Sequence, residues 1–203
     1  MTRGTFVVLE GGDGSGKSTQ VARLAESLRA AGLTVHETFE PGAGAVGAII
    51  RDLLLHGPDT VAPITEALLM AADRAQHVAA EIAPALARGE WVVCDRYVPS
   101  SLVYQGVARG LGVELVEQLS EVATGGLEPD LVIVLDVSDD VAAARRDGQT
   151  DRLEREGDQF HTSVRRAYRE LAATRSWIVV DADGSVDDVA DAVRTAVDPL
   201  LAG

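Results

Sequence analysis

Gly11-Gly12-Asp13-Gly14-Ser15-Gly16-Lys17-Ser18-Thr19 holds the only lysine of a 203-residue chain whose other basic side chains are arginine and histidine. The stretch matches G-x-x-x-x-G-K-[ST]. In such a loop glycine backbone N–H groups wrap phosphates, the lysine reaches the β/γ oxygens, and the hydroxyl of Ser18 can hold Mg²⁺. By chance the pattern arises in roughly one chain in a hundred of this length. Its surroundings narrow that further. Thr5 to Leu9 is a short apolar, β-branched run, as a buried strand requires. Val21, Leu24, Ala25 and Leu28 then recur at helical spacing. The loop is therefore expected between a strand and a helix, where the helix N-terminus adds partial positive charge for an anion.

Five apolar runs read as strands: Thr5 to Leu9, Thr34 to Thr38, Trp91 to Cys94, Leu131 to Leu135 and Trp177 to Val180. Stretches with helical spacing separate them. That alternation predicts an α/β fold in three layers, a five-stranded parallel sheet covered by helices on both faces. In such a sheet, ligands bind at the carboxyl ends of the strands. Gly125-Gly126 and Pro129 mark a loop before the fourth strand. Residues 147–151 form a polar interruption between two helical segments, a candidate lid at about 145–155. The length suits one domain over residues 1–203.

Composition removes several classes. A net charge of −14 argues against a general nucleic-acid binder, although local fields still permit nucleotides. No apolar run reaches the roughly 18 residues that a membrane span needs. Cys94 is the only cysteine. It lies in an apolar run, so a buried thiol and a reducing cytoplasm are expected. The four histidines are scattered and suggest no metal cluster. The acidic residues from Asp181 to Asp198 read as the solvated face of a last helix. Regulatory GTPases read their base with N-K-x-D or T-K-x-D, which would need a second lysine.

Polar residues cluster just past the strand ends. Asp13 lies in the phosphate loop, Glu40-Pro41-Gly42 follows the second strand, and Asp95-Arg96-Tyr97 follows the third. Asp95 can hold Mg²⁺ through water, as a Walker-B acid does. Arg96 offers a planar fork for phosphate. Glu66 to His77 reads as a helix with Met70, Arg74 and His77 on one face. Met70 there can be core filler as readily as a ligand contact, and His77 reads as structural.

Taken together, these motifs resemble the thymidylate (dTMP) kinase family. The resemblance runs through nearly the whole chain. It is carried by Gly12 to Thr19, Glu40-Pro41-Gly42, Ala72-Asp73-Arg74-Ala75-Gln76-His77, Cys94-Asp95-Arg96-Tyr97, Tyr104-Gln105-Gly106, Pro129-Asp130-Leu131 and Asp151-Arg152-Leu153-Glu154. No arginine lies between Gly11 and Lys17, which is similar to the bacterial form with its catalytic arginine in the lid. The resemblance implies a nucleoside monophosphate kinase fold of the phosphate-loop type, and the reaction ATP + dTMP → ADP + dTDP with Mg²⁺. It implies that Gly11 to Thr19 bind ATP and that Ser18 and Asp95, the latter through water, serve the metal. Asp13 would lie near the dTMP 3′-hydroxyl, and Arg96 would bridge the acceptor phosphate with Asp95 orienting it. Arg74 would reach the thymine O4. Glu40, Pro41 and Met70 would line the dTMP site, and Ser101 and Gln105 would contact base or sugar. Tyr104 would crowd the 2′ position, and Arg51 would assist the acceptor phosphate. A homodimer through the 64–88 and 99–124 regions is also implied.

Four positions depart from the family pattern. Met70 stands where phenylalanine usually stacks on thymine, Phe39 where arginine is common, Gly44 where threonine is common, and Asp147 where the lid often has arginine. Arg145 and Arg146 then become the candidates for the transfer-stabilising charge. Three alternatives remain: another monophosphate kinase; a deoxynucleoside kinase with Glu40 as base; and a nucleotide-binding protein without transfer activity.

Overall fold

The computed structural model describes residues 3–58, 60–145 and 158–201. Its centre is a sheet of five parallel strands in the order β2-β3-β1-β4-β5. The strands are β1 (Phe6–Glu10), β2 (Val35–Phe39), β3 (Trp91–Asp95), β4 (Leu131–Asp136) and β5 (Ile178–Asp181). All five expected strands are present, and each runs one residue past its expected end. The last apolar residue looked like the boundary, yet β1, β3, β4 and β5 each close on a carboxylate, namely Glu10, Asp95, Asp136 and Asp181.

Strand alternation divides the core. Val7, Leu9, Val93, Ile133 and Leu135 point to one face of the sheet. They pack there against Val21, Leu24 and Leu28 of α1 (Lys17–Ala30) and Val189, Val193 and Val197 of α9 (Val186–Leu201). On the opposite face Phe6, Val8, Val92 and Cys94 meet Val78, Ile82 and Leu86, while Val132 and Val134 meet Val103, Val164 and Tyr168. This is the period-2 pattern of a strand buried on both sides. Each such aliphatic side chain contributes about 1.5–3 kcal/mol by leaving water.

The second face is covered by α3 (Pro63–His77), which passes through a π-helical stretch (Val78–Ile82) into α4 (Ala83–Ala87). Beside it lie α5 (Val98–Ser101), a second π-helical stretch (Leu102–Ala108), α6 (Val113–Thr124) and α8 (Asp158–Thr174). Pro63 sits in the first turn of α3, where its missing N–H costs no hydrogen bond. The remaining helices are α2 (Gly44–His56) and α7 (Asp139–Arg145). In α9 Val189, Val193 and Val197 face inward while Asp187, Asp188, Asp191 and Asp198 are exposed, as expected of a solvated acidic face. Ser185 and Asp188 cap its start reciprocally, Ser185 Oγ accepting from Asp188 N at 3.2 Å and Asp188 Oδ2 accepting from Ser185 N at 3.3 Å. Cys94 is a fully buried free thiol. Among the described residues, no helix is long and apolar enough to cross a membrane. The expected lid, apart from Arg145, lies outside the described residues.

Because β1 is central, the loops leaving β1 and β3 emerge side by side at the carboxyl edge of the sheet. The chain steps from β1 outward to β2, returns to β3, then crosses to β4 on the far side of β1. A crevice opens at such a reversal, and here it faces the phosphate loop.

Candidate active site

The phosphate loop runs from the end of β1 to the first residue of α1. Gly11 and Gly14 hold left-handed backbone with φ of 142° and 79°. A Cβ on Gly11 would lie 2.5 Å from the Leu135 carbonyl oxygen, and one on Gly14 would lie 2.6 Å from that of Ala142. Only glycine fits either place. Lys17 folds back, its Nζ donating to the Gly12 carbonyl at 2.9 Å. Burial, with the Arg96 charge nearby, lowers its pKa to about 8, against the opposing pull of Asp95 and Asp13. Ser18 Oγ donates to Asp95 Oδ2 at 2.5 Å, so the loop hydroxyl and the strand-end acid are brought together. No described group of three or more histidine, cysteine or acidic side chains could cage a metal. Two hard oxygens beside a phosphate loop fit Mg²⁺, which keeps most of its waters and takes other ligands from phosphates.

Beside this loop a cavity is walled by Asp13, Glu40, Pro41, Arg51, Met70, Arg74, Arg96, Ser101, Tyr104 and Gln105, joined by Leu55, Asp73, Tyr97 and Ser100. Arg96 forms its floor. Its backbone is left-handed with φ of 69°, a cost that an ordinary side chain bears only when its surroundings fix it. Nη2 donates to Asp13 Oδ1 at 2.6 Å, and Nη1 donates to the Gly11 carbonyl at 3.1 Å and to Ser100 Oγ at 3.1 Å. The Tyr104 ring lies under the guanidinium, 5.2 Å from its carbon. The Arg96 and Lys17 charges outweigh burial and hold the Asp13 carboxyl below its ordinary range.

A second polar cluster forms the side wall. Arg74 Nε donates to Glu40 Oε2 at 2.8 Å, and His77 Nδ1 lies 2.9 Å from Glu40 Oε1. His77 Nε2 lies 2.6 Å from Thr38 Oγ1. Arg74 Nη2 donates to Ser101 Oγ and to the Tyr97 carbonyl, both at 3.1 Å. Glu40, Arg74 and His77 are each buried. Pro41 follows a cis peptide bond, and its carbonyl accepts from Arg51 Nη1 at 2.7 Å. Arg51 thus stands at the rim shared by the cavity and the phosphate-loop cleft.

A phosphate loop with its lysine, a hydroxyl–carboxylate pair for a hard cation, and a walled pocket floored by an arginine describe a site for two phosphorylated ligands. Comparison with known proteins agrees. Residues 9–193 match the family model described as thymidylate kinase. The chain belongs to the thymidylate kinase family. It is 48% identical to the thymidylate kinase of Synechococcus sp. (strain WH7803) over 97% of this chain and 96% of the relative. It is 48% identical to that of Leifsonia xyli subsp. xyli (strain CTCB07), covering 96% of this chain and 95% of the relative. With that of Caldicellulosiruptor saccharolyticus the identity is 43% over 98% of both chains.

Within this thymidylate kinase frame, all ten residues expected around dTMP line the one cavity. Two expectations change. Asp95 does not orient Arg96; its carboxylate is bonded to Ser18, and Asp13 holds the guanidinium instead. Arg145 does not face the cavity: its guanidinium donates to the carbonyls of Ala182 at 2.9 Å and Gly184 at 3.2 Å, between β5 and α9. Arg146 lies outside the described residues. His77 serves structure, as expected, and Met70 stands half-buried in the cavity wall rather than in the core. Sequence reasoning missed Glu10, Asp73, Ser100 and Tyr168 as parts of the site. Glu10 carried a usable signal, an acid directly after an apolar run and directly before the phosphate loop, and Asp73 lies inside the Ala72 to His77 motif; Ser100 and Tyr168 carried none.

Proposed function

We propose that the chain transfers the γ-phosphoryl group of ATP to dTMP, giving ADP and dTDP, with Mg²⁺ as cofactor, as one kinase domain over residues 1–203 with a lid at about 145–155. Membership of the thymidylate kinase family supports the activity, and ATP is the donor. The observation that carries the residue assignment is that the ten residues expected around dTMP line one cavity, which adjoins the cleft at Lys17 through Asp13 and Arg96.

The acceptor is itself a phosphate with a second pKa near 6, so it is already ionised at neutral pH. No general base is needed. Two polyanions must instead be brought together and their charge neutralised during transfer. Gly11 to Thr19 cradle the ATP phosphates, with the Lys17 ammonium released from the Gly12 carbonyl to reach them. Ser18 and Asp95 would hold Mg²⁺, which supplies charge neutralisation across the phosphates. Arg96, fixed by Asp13, takes the acceptor phosphate, and Arg51 stands at the shared rim to assist it. Arg74 and Gln105 face the base, and Tyr104 closes the 2′ side of the sugar. Arg146 carries the lid charge. Glu40 is unsuited to be a hydroxyl-activating base, because both of its oxygens are engaged by Arg74 and His77.

We place the enzyme in the cytoplasm as a homodimer. Ile64, Leu68, Leu115 and Val122 are exposed apolar side chains on α3 and α6, the surface that a second copy would cover. Solution scattering tests this, and a monomer would remove it. For the reaction, ADP release is measured with Mg-ATP on dTMP, thymidine, dUMP and UMP, with Lys17→Ala as control. Preference for dTMP, lost in the variant, is the expected result. Turnover of thymidine in place of dTMP would overturn the reading.

A further inference from the structure

Glu10 is fully buried at the end of β1, one residue ahead of the phosphate loop. Four hydrogen bonds converge on it, and in all four the carboxylate is the acceptor. Oε1 accepts from Tyr97 N at 2.8 Å and from Ser100 N at 3.2 Å. Oε2 accepts from Ser100 Oγ at 2.6 Å and from Tyr168 Oη at 2.8 Å. The two hydroxyls lie 3.0 Å apart, and both also stand over Arg96 Nη1, Ser100 at 3.1 Å and Tyr168 at 3.4 Å. A hydroxyl has one proton and two lone pairs. With both protons drawn to Glu10, the lone pairs turn toward the guanidinium. A buried carboxylate is costly in itself, and burial raises the pKa of this one against the opposing pull of Arg96 and its hydrogen bonds. A buried acid beside the proposed reacting centre calls for a role.

Resting on the thymidylate kinase reading, the geometry points to Glu10 as the positioning residue of the acceptor-phosphate arginine, acting through the hydroxyls of Ser100 and Tyr168. Glu10 does not touch substrate. It sets the direction of the two hydroxyls, and these hold Nη1 while Asp13 holds Nη2. Tyr168 belongs to α8, so the same carboxylate ties that helix to the central strand. Glutamine cannot replace it. The amide oxygen can accept from the backbone N–H groups of Tyr97 and Ser100, but its NH₂ group then donates to the two hydroxyls, whose protons must turn away from residue 10 and toward the Arg96 guanidinium.

The test separates the phosphate from the nucleoside. Binding of dTMP and of thymidine to the full chain is measured by calorimetry without ATP, alongside kcat and KM for both substrates. Tyr168→Phe keeps the ring in the core and removes one hydroxyl. The expected result is about tenfold weaker dTMP binding, with thymidine binding and the KM for ATP unchanged. Glu10→Gln is expected to lower kcat/KM for dTMP by about 100-fold, the scale of a misplaced catalytic group. Adding Tyr168→Phe to Glu10→Gln should cost little more, because both act through one unit. Should Glu10→Gln not fold, Tyr168→Phe and Ser100→Ala carry the test alone. Equal weakening of dTMP and thymidine, or loss of thermal stability with dTMP affinity intact, would assign the cluster to structure only and overturn the inference. Wild-type protein that fails to bind dTMP would overturn the parent reading and this one with it.

Discussion

Asp73 lies in the wall of the cavity beside the phosphate loop, with 1% of its surface exposed. Oδ1 accepts the Gly42 N–H at 3.0 Å, and Oδ2 has no hydrogen-bond partner among the described residues. Burial, reinforced by the Glu40 carboxylate, raises its pKa from 3.8 to about 6, against the pull of the Gly42 N–H, His77 and Arg74. An acid with a raised pKa binds its proton more tightly in the folded chain. Its protonation therefore favours folding, and stability is lost as pH rises from about 4 through about 6. A shift of roughly two pKa units costs about 3 kcal/mol once the pH is well above 6, and about half of that at pH 5. Asp73→Asn keeps an acceptor for Gly42 N–H and removes the charge. The stability of the variant minus that of the wild type should then rise by about 1–2 kcal/mol from pH 5 to pH 8. Urea denaturation at several pH values reads this directly, as a relative midpoint shift of about 0.5 M. Any fixed cost of the unpaired amide drops out of the comparison, as do charges common to both proteins. A stability difference that stays flat across the range would refute the argument and show Asp73 to be solvated or paired in solution.

Three further outcomes follow from the same walls. Gly47→Ala should destabilise by about 1–3 kcal/mol and raise the KM for dTMP, because its Cβ would lie 2.8 Å from Asp73 Oδ1 and 2.9 Å from the Gly42 carbonyl carbon; an unchanged melting temperature would mean that the loop yields freely. Met70→Phe puts a ring where a half-buried thioether now lines the cavity, and it should lower the KM for dTMP by about 2- to 10-fold while leaving that for ATP alone, so an unchanged or higher KM would show that the base does not stack there. Arg145→Ala should cost about 1 kcal/mol of stability from two lost hydrogen bonds and leave kcat within about twofold, and a loss of 100-fold or more would return Arg145 to the transfer step.

The sheet was legible because burial on both faces leaves a simple trace, five short apolar runs separated by helical spacing. Strand order and the assignment of helices to faces were not, since these depend on contacts between distant residues. Four of the five strand ends were misplaced for one reason, β2 closing on Phe39 instead. At the carboxyl edge the chain is still hydrogen-bonded in the sheet when it reaches its first functional acid, as the pairing of Leu9 with Asp95 across β1 and β3 shows. Hydrophobicity marks where the core stops, not where the strand does. Leu55 and Ser100 sit in no motif, but much of the cavity lining was legible, because Asp13, Glu40, Pro41, Arg74, Arg96, Tyr104 and Gln105 each sit in one. Glu10 and Tyr168 were not, being 158 positions apart and joined by a single hydrogen bond.

The pairing of Asp95 with Arg96 shows why adjacency misleads. Along a strand, successive side chains leave on opposite faces. Val93 packs on the α1 side of the sheet, so Asp95, two residues on, points the same way and meets Ser18 at the start of α1. Arg96 is already outside β3, and its left-handed backbone turns it from its neighbour. Its amide is anchored to the Leu9 carbonyl at 3.0 Å, which sets it beside the loop that follows β1. Asp13 lies in that loop, so the guanidinium finds its carboxylate across strands rather than along one. The strand period and the parallel register together determine this exchange of partners. In the proposed reaction it would separate two tasks: Asp95, beside Ser18, would serve the cation, and Asp13 would hold the arginine proposed to take the acceptor phosphate.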